Sequence, residues 1–114
     1  MPYEQKFLFS LLFTLIVEIP IAVFFVKYFY KHKEIKISNI VFVGFIVNAL
    51  TLPYFWFIFP VYVFDRNIYI IVGESLVILV ETIMYNQLLK LKLSESFIVS
   101  LAANSLSMLL GLLF

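Results

Sequence analysis

Three short polar breaks divide the chain into four long apolar runs, and that division constrains its fold more than any other feature. A helix needs about 20 mainly apolar residues to cross the hydrocarbon core of a bilayer. The runs cover about residues 7–30, 37–64, 68–89 and 97–114. The breaks are a loop from Lys31 to Lys36, a tight turn at Asp65, Arg66 and Asn67, and a loop at Lys90 and Lys92. Phe, Ile, Val and Tyr favour strands, but the runs lack the alternation of a membrane barrel, which also needs about eight strands or more. A segment alone in lipid must pair its own backbone groups, and only a helix does so. The pattern predicts an all-α membrane protein: a four-transmembrane-helix bundle in a single membrane domain over residues 1–114. Pro53 and Pro60 lie in the longest run, with Pro53 as its expected kink.

Composition agrees with a lipid solvent. Hydrophobic residues make up 64% and charged residues 13%, where a soluble domain carries about 25% charged residues to wet its surface. With no cysteine, disulfides, thiolate metal sites and thiol nucleophiles are excluded. A net charge of +1 without a basic patch excludes nucleic-acid binding. Glu4 beside Lys6, Glu18 inside the first run and the lack of a small-residue cleavage site argue that this run is a retained helix, not a signal peptide.

The lysines suggest an orientation. Lys31, Lys33, Lys36, Lys90 and Lys92 lie in two loops on one side, with Lys27 nearby; Lys6 and Arg66 lie on the other. The positive-inside rule places loops 31–36 and 90–92 in the cytoplasm of a multi-pass protein of the cell membrane, and both termini on the extracytoplasmic side. Tyr54, Trp56, Tyr62 and Tyr69 then form an outer aromatic belt, with Tyr28 and Tyr30 at the inner face.

The two halves resemble each other. A shift of 56 residues aligns 15–58 with 71–114, placing Glu18 on Glu74, Lys36 on Lys92, Ser38 on Ser94, Asn48 on Asn104, Thr51 on Ser107 and Gly44 on Ser100. The weight lies in the rare polar residues. Each half is a helical hairpin (repeat 1 about 7–64, repeat 2 about 68–114), so the two repeated hairpins would be related by a pseudo-two-fold axis along the membrane normal. A rival register pairs Val17 and Glu18 with Val80 and Glu81, at the cost of a seven-residue gap in the loop.

The runs contain three carboxylates, Glu18, Glu74 and Glu81. An ionised carboxylate at mid-membrane costs about 2.5 kcal/mol or more, so such residues face the bundle interior and by default suggest a functional site. Glu74 and Glu81 are almost two turns apart and share a face. Lys6, Ser10, Thr14 and Glu18 form a polar line on the first helix. Gly44, Asn48 and Thr51 share a face of the second, and Ser100, Asn104 and Ser107 of the fourth. The expected centre is Glu18, Glu74, Glu81, Asn48 and Asn104, flanked by the hydroxyls of Thr14, Thr51, Ser100 and Ser107. Oxygen donors of this kind suit hard cations, although the sequence names no metal. They also suit a proton relay, because hydrocarbon penalises a charged carboxylate, or a lipophilic cationic solute. The competing role is helix glue through hydrogen bonds, worth about 0.6 kcal/mol each in a membrane.

Other features have plainer readings. The row Ala103, Ser107 and Gly111 reads as close helix packing, and Pro20 as a kink. His32 reads as a solvated loop residue, and Asn86 and Gln87 as interfacial. The aromatic residues, 19% of the chain, read as lipid-facing packing. There is no glycine-rich phosphate loop, His-Glu-x-x-His or Gly-x-Ser-x-Gly motif, and no histidine lies within a span, so no enzyme or cofactor is indicated.

The size, the four spans and Glu18 in the first span resemble the small multidrug resistance transporters. The resemblance implies a first-helix glutamate that binds protons and cationic drugs in competition. This chain departs from that family in lacking its glycine-rich packing and membrane-embedded tryptophan, in carrying Glu74 and Glu81, and in its strong charge bias. The expected function is transport or binding of a cation, proton or small cationic solute. The expected partners are the lipid bilayer and either further copies of the chain or another membrane subunit. The alternative is a structural or interaction subunit of a larger membrane complex, and a third, weaker reading is an intramembrane enzyme that uses the glutamates alone.

Overall fold

The computed structural model describes residues 2–58 and 65–113. Among these it is all-helical. Helix α1 (Tyr3–Val23) continues into a π-helical segment, Phe24–Phe29, and α2 (Ile37–Pro53) into another, Tyr54–Ile58. Helices α3 (Arg66–Leu89) and α4 (Leu93–Leu113) complete the bundle. The end of the predicted second span, with Pro60 and Tyr62, lies outside the described residues. All four helices are long and apolar enough to cross a membrane.

The helix ends follow from local chemistry. Asp65 caps α3: its Oδ1 accepts from the N–H groups of Asn67 at 2.9 Å and Ile68 at 3.1 Å. Lys90 ends α3 in a left-handed conformation, φ 58°. Asn86, expected to be interfacial, braces this turn by donating to the Leu91 carbonyl at 2.6 Å. Helix α4 starts at Leu93, earlier than its apolar run, because Glu95 reaches back to accept from the Lys92 N–H at 3.2 Å. Pro53 offers no N–H to the preceding turn, and α2 widens into its π segment directly after it. Helix α1 runs through Pro20 before widening at Phe24.

The helices form a four-cornered bundle of 43 × 25 × 22 Å, longer than the roughly 30 Å hydrocarbon core. Helix α1 packs on α2 and α4, α3 packs on the same two, and α1 and α3 stand across the diagonal. One end, the tyrosine end, is tied by Tyr3 Oη donating to the Trp56 carbonyl and Tyr69 Oη to the Phe55 carbonyl. There Phe7 also meets Phe57 at 4.9 Å, so part of the aromatic content packs on itself rather than on lipid. At the opposite, lysine end, Lys27 Nζ donates to the carbonyls of Lys33 and Ile35.

The outside of the bundle is apolar, and its inside holds both polar and apolar side chains. Phe9, Ile16, Phe42, Ile71 and Leu79 face outward, while Thr14, Glu18, Asn48, Thr51, Glu81, Ser100 and Asn104 are buried. The buried apolar residues, among them Ala22, Val26, Ile40, Val99 and Tyr85, form a cluster that includes the lysine end. The small-residue row on α4 behaves as expected only in part, with Ala103 fully buried. A methyl on Gly111 would meet nothing within 4 Å among the described residues, so no close helix contact is seen there. The close approaches are elsewhere: a Cβ on Gly44 would lie 3.0 Å from Ile19, and one on Gly73 would lie 2.3 Å from the Phe55 ring.

Candidate functional site: a carboxylate-lined vestibule

Two helix turns set up the first wall. Ser10, Thr14 and Glu18 recur every four residues on α1, and the stripe turns into the bundle. It faces Glu74 on α3, and Asn104 and Ser107 on α4, across a cavity of about 220 Å³. Trp56, Phe55 and Val77 supply the apolar wall. Phe55 and Val77 also line a larger apolar groove of about 560 Å³ between α2 and α3. Glu18 is 2% exposed, and its Oε1 has no hydrogen-bond partner among the described residues. Asn48 and Ser107 lie within interaction reach of the same carboxyl.

Glu81 is placed differently. It is fully buried and does not line the cavity. Asn104 Nδ2 donates to its Oε1 at 2.7 Å and to the Ser100 carbonyl at 2.8 Å. Thr51 Oγ1 lies 3.1 Å from Glu81 Oε2 and 2.9 Å from the Val47 carbonyl oxygen. Asn48 repeats the habit of Asn104, donating to the carbonyl four residues earlier, that of Gly44, at 2.9 Å. Ser100 Oγ donates to the Ile78 carbonyl at 3.0 Å and so joins α4 to α3.

The residues expected to form one centre thus occupy two layers. Glu18, Glu74, Thr14, Asn104 and Ser107 line the cavity, with Asn48 beside the Glu18 carboxyl, while Glu81, Thr51 and Ser100 join Asn104 in the network behind it. Glu74 and Glu81 share a helix but not a layer, and Asn104 is the link between the layers. Among the described residues, no group of three or more His, Asp or Glu side chains is arranged to hold a metal ion.

The sequence reading missed two residues and misread a third. Tyr85 and Ser96 are fully buried, and each keeps a hydroxyl without a hydrogen-bond partner among the described residues. Tyr85 was detectable by extending the Glu81 face one turn, and Ser96 by extending the Ser100 face one turn back. The third, His32, is not the freely solvated loop residue expected. Its Nδ1 pairs with Glu34 at 3.1 Å and its Nε2 with Glu95 at 3.0 Å. No sequence signal joins residues so far apart. Partial burial works against the imidazolium, but hydrogen bonds to Glu95 and Glu34 outweigh it, and His32 titrates above the usual histidine value. The Glu34 carboxyl is held below the usual range by its own backbone N–H and then by His32.

No protein-family model, curated protein or solved structure matches this chain.

Proposed function

We propose that this protein binds and moves a proton or small cation through the vestibule, with Glu18 and Glu74 as the exchanging carboxylates. The observation that carries this reading is that both side chains line one cavity and that Glu18 Oε1 has no partner among the described residues. A carboxylate serving only to join helices is expected to have its oxygens paired within the protein. Glu81 fits that structural role instead, since both its oxygens face partners on α2 and α4. Its placement favours the second reading, a structural subunit held together by buried polar contacts. The vestibule opening near Trp56 and Gly111 would face the extracytoplasmic side, with the lysine loops in the cytoplasm. Four helices offer little room for a full pathway, so assembly of several copies belongs to the proposal. The layout shared with small multidrug resistance transporters extends it to lipophilic cations, by analogy only.

The proposal includes a duplicated hairpin. Glu18 is approached by Asn48 of its own hairpin and Ser107 of the other; Glu81 is bonded by Asn104 of its own hairpin and Thr51 of the other. Exchanging Asn48 with Asn104 and Thr51 with Ser107 interconverts the two sets. This favours pairing Glu18 with Glu81 rather than with Glu74. The seven-residue gap that this register needs is supplied by three extra residues at the end of the first helix and four in the loop that follows.

The test is thermal unfolding of the purified protein in detergent, with proton, sodium, potassium, magnesium, calcium and lipophilic-cation titrations. A ligand at 100 times its Kd adds about 2.7 kcal/mol to the folded state. A saturable rise in Tm is expected in the wild type and in Glu81→Gln, and is expected to be lost in Glu18→Gln and Glu74→Gln. If every variant responds like the wild type, the vestibule is not the binding site.

A further inference from the structure

Three buried polar atoms lack a hydrogen-bond partner among the described residues: Glu18 Oε1, Tyr85 Oη and Ser96 Oγ. They do not scatter over the molecule. Glu18 is at the floor of the vestibule. Tyr85 follows Glu81 by one turn towards the lysine end, and its hydroxyl lies within electrostatic range of both Glu81 and Glu18. Ser96 is on the first turn of α4, about 12 Å further in than Asn104 along that helix. Beyond Ser96 stand His32 and Glu95, at the lysine end. Tyr85 packs among Val26, Ile40, Val47 and Val99.

A hydroxyl in such surroundings loses its hydrogen bond with water and gains nothing, which costs about 1–3 kcal/mol. A phenylalanine would fill the Tyr85 position without that cost. Buried polar groups with no protein partner are ordinarily bonded to ordered water, which bridges two to four such groups. Two buried, unpaired atoms within electrostatic range of each other, one of them on a side chain that lines the cavity, meet that condition.

We propose that Glu18 Oε1 and Tyr85 Oη share occluded water beneath the vestibule, and that Tyr85 is the positioning residue that carries a proton from Glu18 towards Ser96. The step balances. The Glu18 carboxyl releases its proton to the water, and the water releases another to Tyr85 Oη. The phenol releases its own proton to water on the Ser96 side. Glu18 takes a proton back from the vestibule, so each relay group gains one proton and loses one, and Tyr85 stays neutral. The direction of flow rests on the vestibule reading; the occluded water does not.

Water-edited solid-state NMR of the full chain in bilayers, with ¹³C-labelled tyrosine and valine, reads the water directly. The Tyr85 ring signal, identified by its loss in Tyr85→Phe, is expected to draw polarisation from water several-fold faster than Val26 and Val99, which are equally buried. A Tyr85 as slow as these valines overturns the proposal. Thermal unfolding gives a second readout, because Tyr85→Phe is expected to lower Tm if the hydroxyl holds water. A raised Tm, as from removing an unpaired hydroxyl, overturns it. In proteoliposomes Tyr85→Phe is expected to cut proton flux about tenfold or more while leaving the ligand-induced Tm shift of the vestibule within about twofold. Unchanged flux overturns the relay. A wetted Tyr85 in a protein with no ligand response upholds the occluded water and sinks the transport reading. A dry Tyr85 in a protein that does respond does the reverse.

Discussion

At Thr51 the hydrogens can be counted. Its Oγ1 touches two oxygens, Val47 O and Glu81 Oε2, but a threonine hydroxyl carries one proton. Both contacts are satisfied when Thr51 donates to Val47 and the Glu81 carboxyl carries the second proton and donates it to Thr51. Asn104 uses both its amide hydrogens, one on Glu81 Oε1 and one on the Ser100 carbonyl. A neutral Glu81 therefore completes the network with no buried charge. Infrared spectra at neutral pH are expected to show a protonated carboxyl band that disappears in Glu81→Gln. The side-chain amide of that variant can reproduce both contacts, so its unfolding free energy is expected to stay within about 0.5 kcal/mol of wild type, while Asn104→Leu loses about 1–2 kcal/mol. A larger loss in Glu81→Gln than in Asn104→Leu would contradict the proton assignment.

The same three-glycine inventory means different things on different helices. Gly73 lets α3 pass the Phe55 ring, itself tilted against Tyr69 with ring centroids 4.8 Å apart. Gly73→Ala places a methyl inside that ring's contact distance and is expected to destabilise by about 1–3 kcal/mol. Gly44→Ala meets a flexible Ile19 side chain at 3.0 Å and should cost less. Gly111→Ala, on the open side of α4, should be within about 0.5 kcal/mol of wild type. Denaturant titration in mixed micelles ranks the three, and a Gly111 loss equal to that of Gly73 would mean that α4 packs differently. A glycine's presence was legible in the sequence, but not which neighbour it admits, because that depends on the rotation of each helix about its axis.

On the scale of the whole molecule, His32 ties the α1–α2 loop to the start of α4 through Glu95, with Glu34 on its other nitrogen and Tyr30 alongside. The folded imidazole titrates above its free value near 6.5. Its contribution to stability is therefore complete below about pH 6.5 and is lost as pH rises through the folded value. Tm of the wild type relative to His32→Gln is expected to be highest near pH 6 and to converge by the alkaline end of the titration. The site is partly exposed, so the difference should be small and shrink with salt. A gap that widens with pH would reverse the assigned sign.

Four helices followed from the sequence because hydrocarbon leaves an isolated segment no other way to pair its backbone, and the length of each apolar run measures one crossing. The inward residues were legible for the same reason: Glu18, Asn48, Glu81 and Asn104 have no favourable place in lipid, and helical spacing put them on shared faces. What that spacing does not contain is depth across the bundle or contact between distant turns. Only the tertiary structure separated Glu74, on the cavity, from Glu81, sealed behind Asn104, although both lie on one face of α3. It alone brought His32 to Glu95 and buried the hydroxyls of Tyr85 and Ser96 without a partner among the described residues. A periodicity records the direction in which a side chain leaves its own helix; how the four helices rotate and slide against one another determines what it meets.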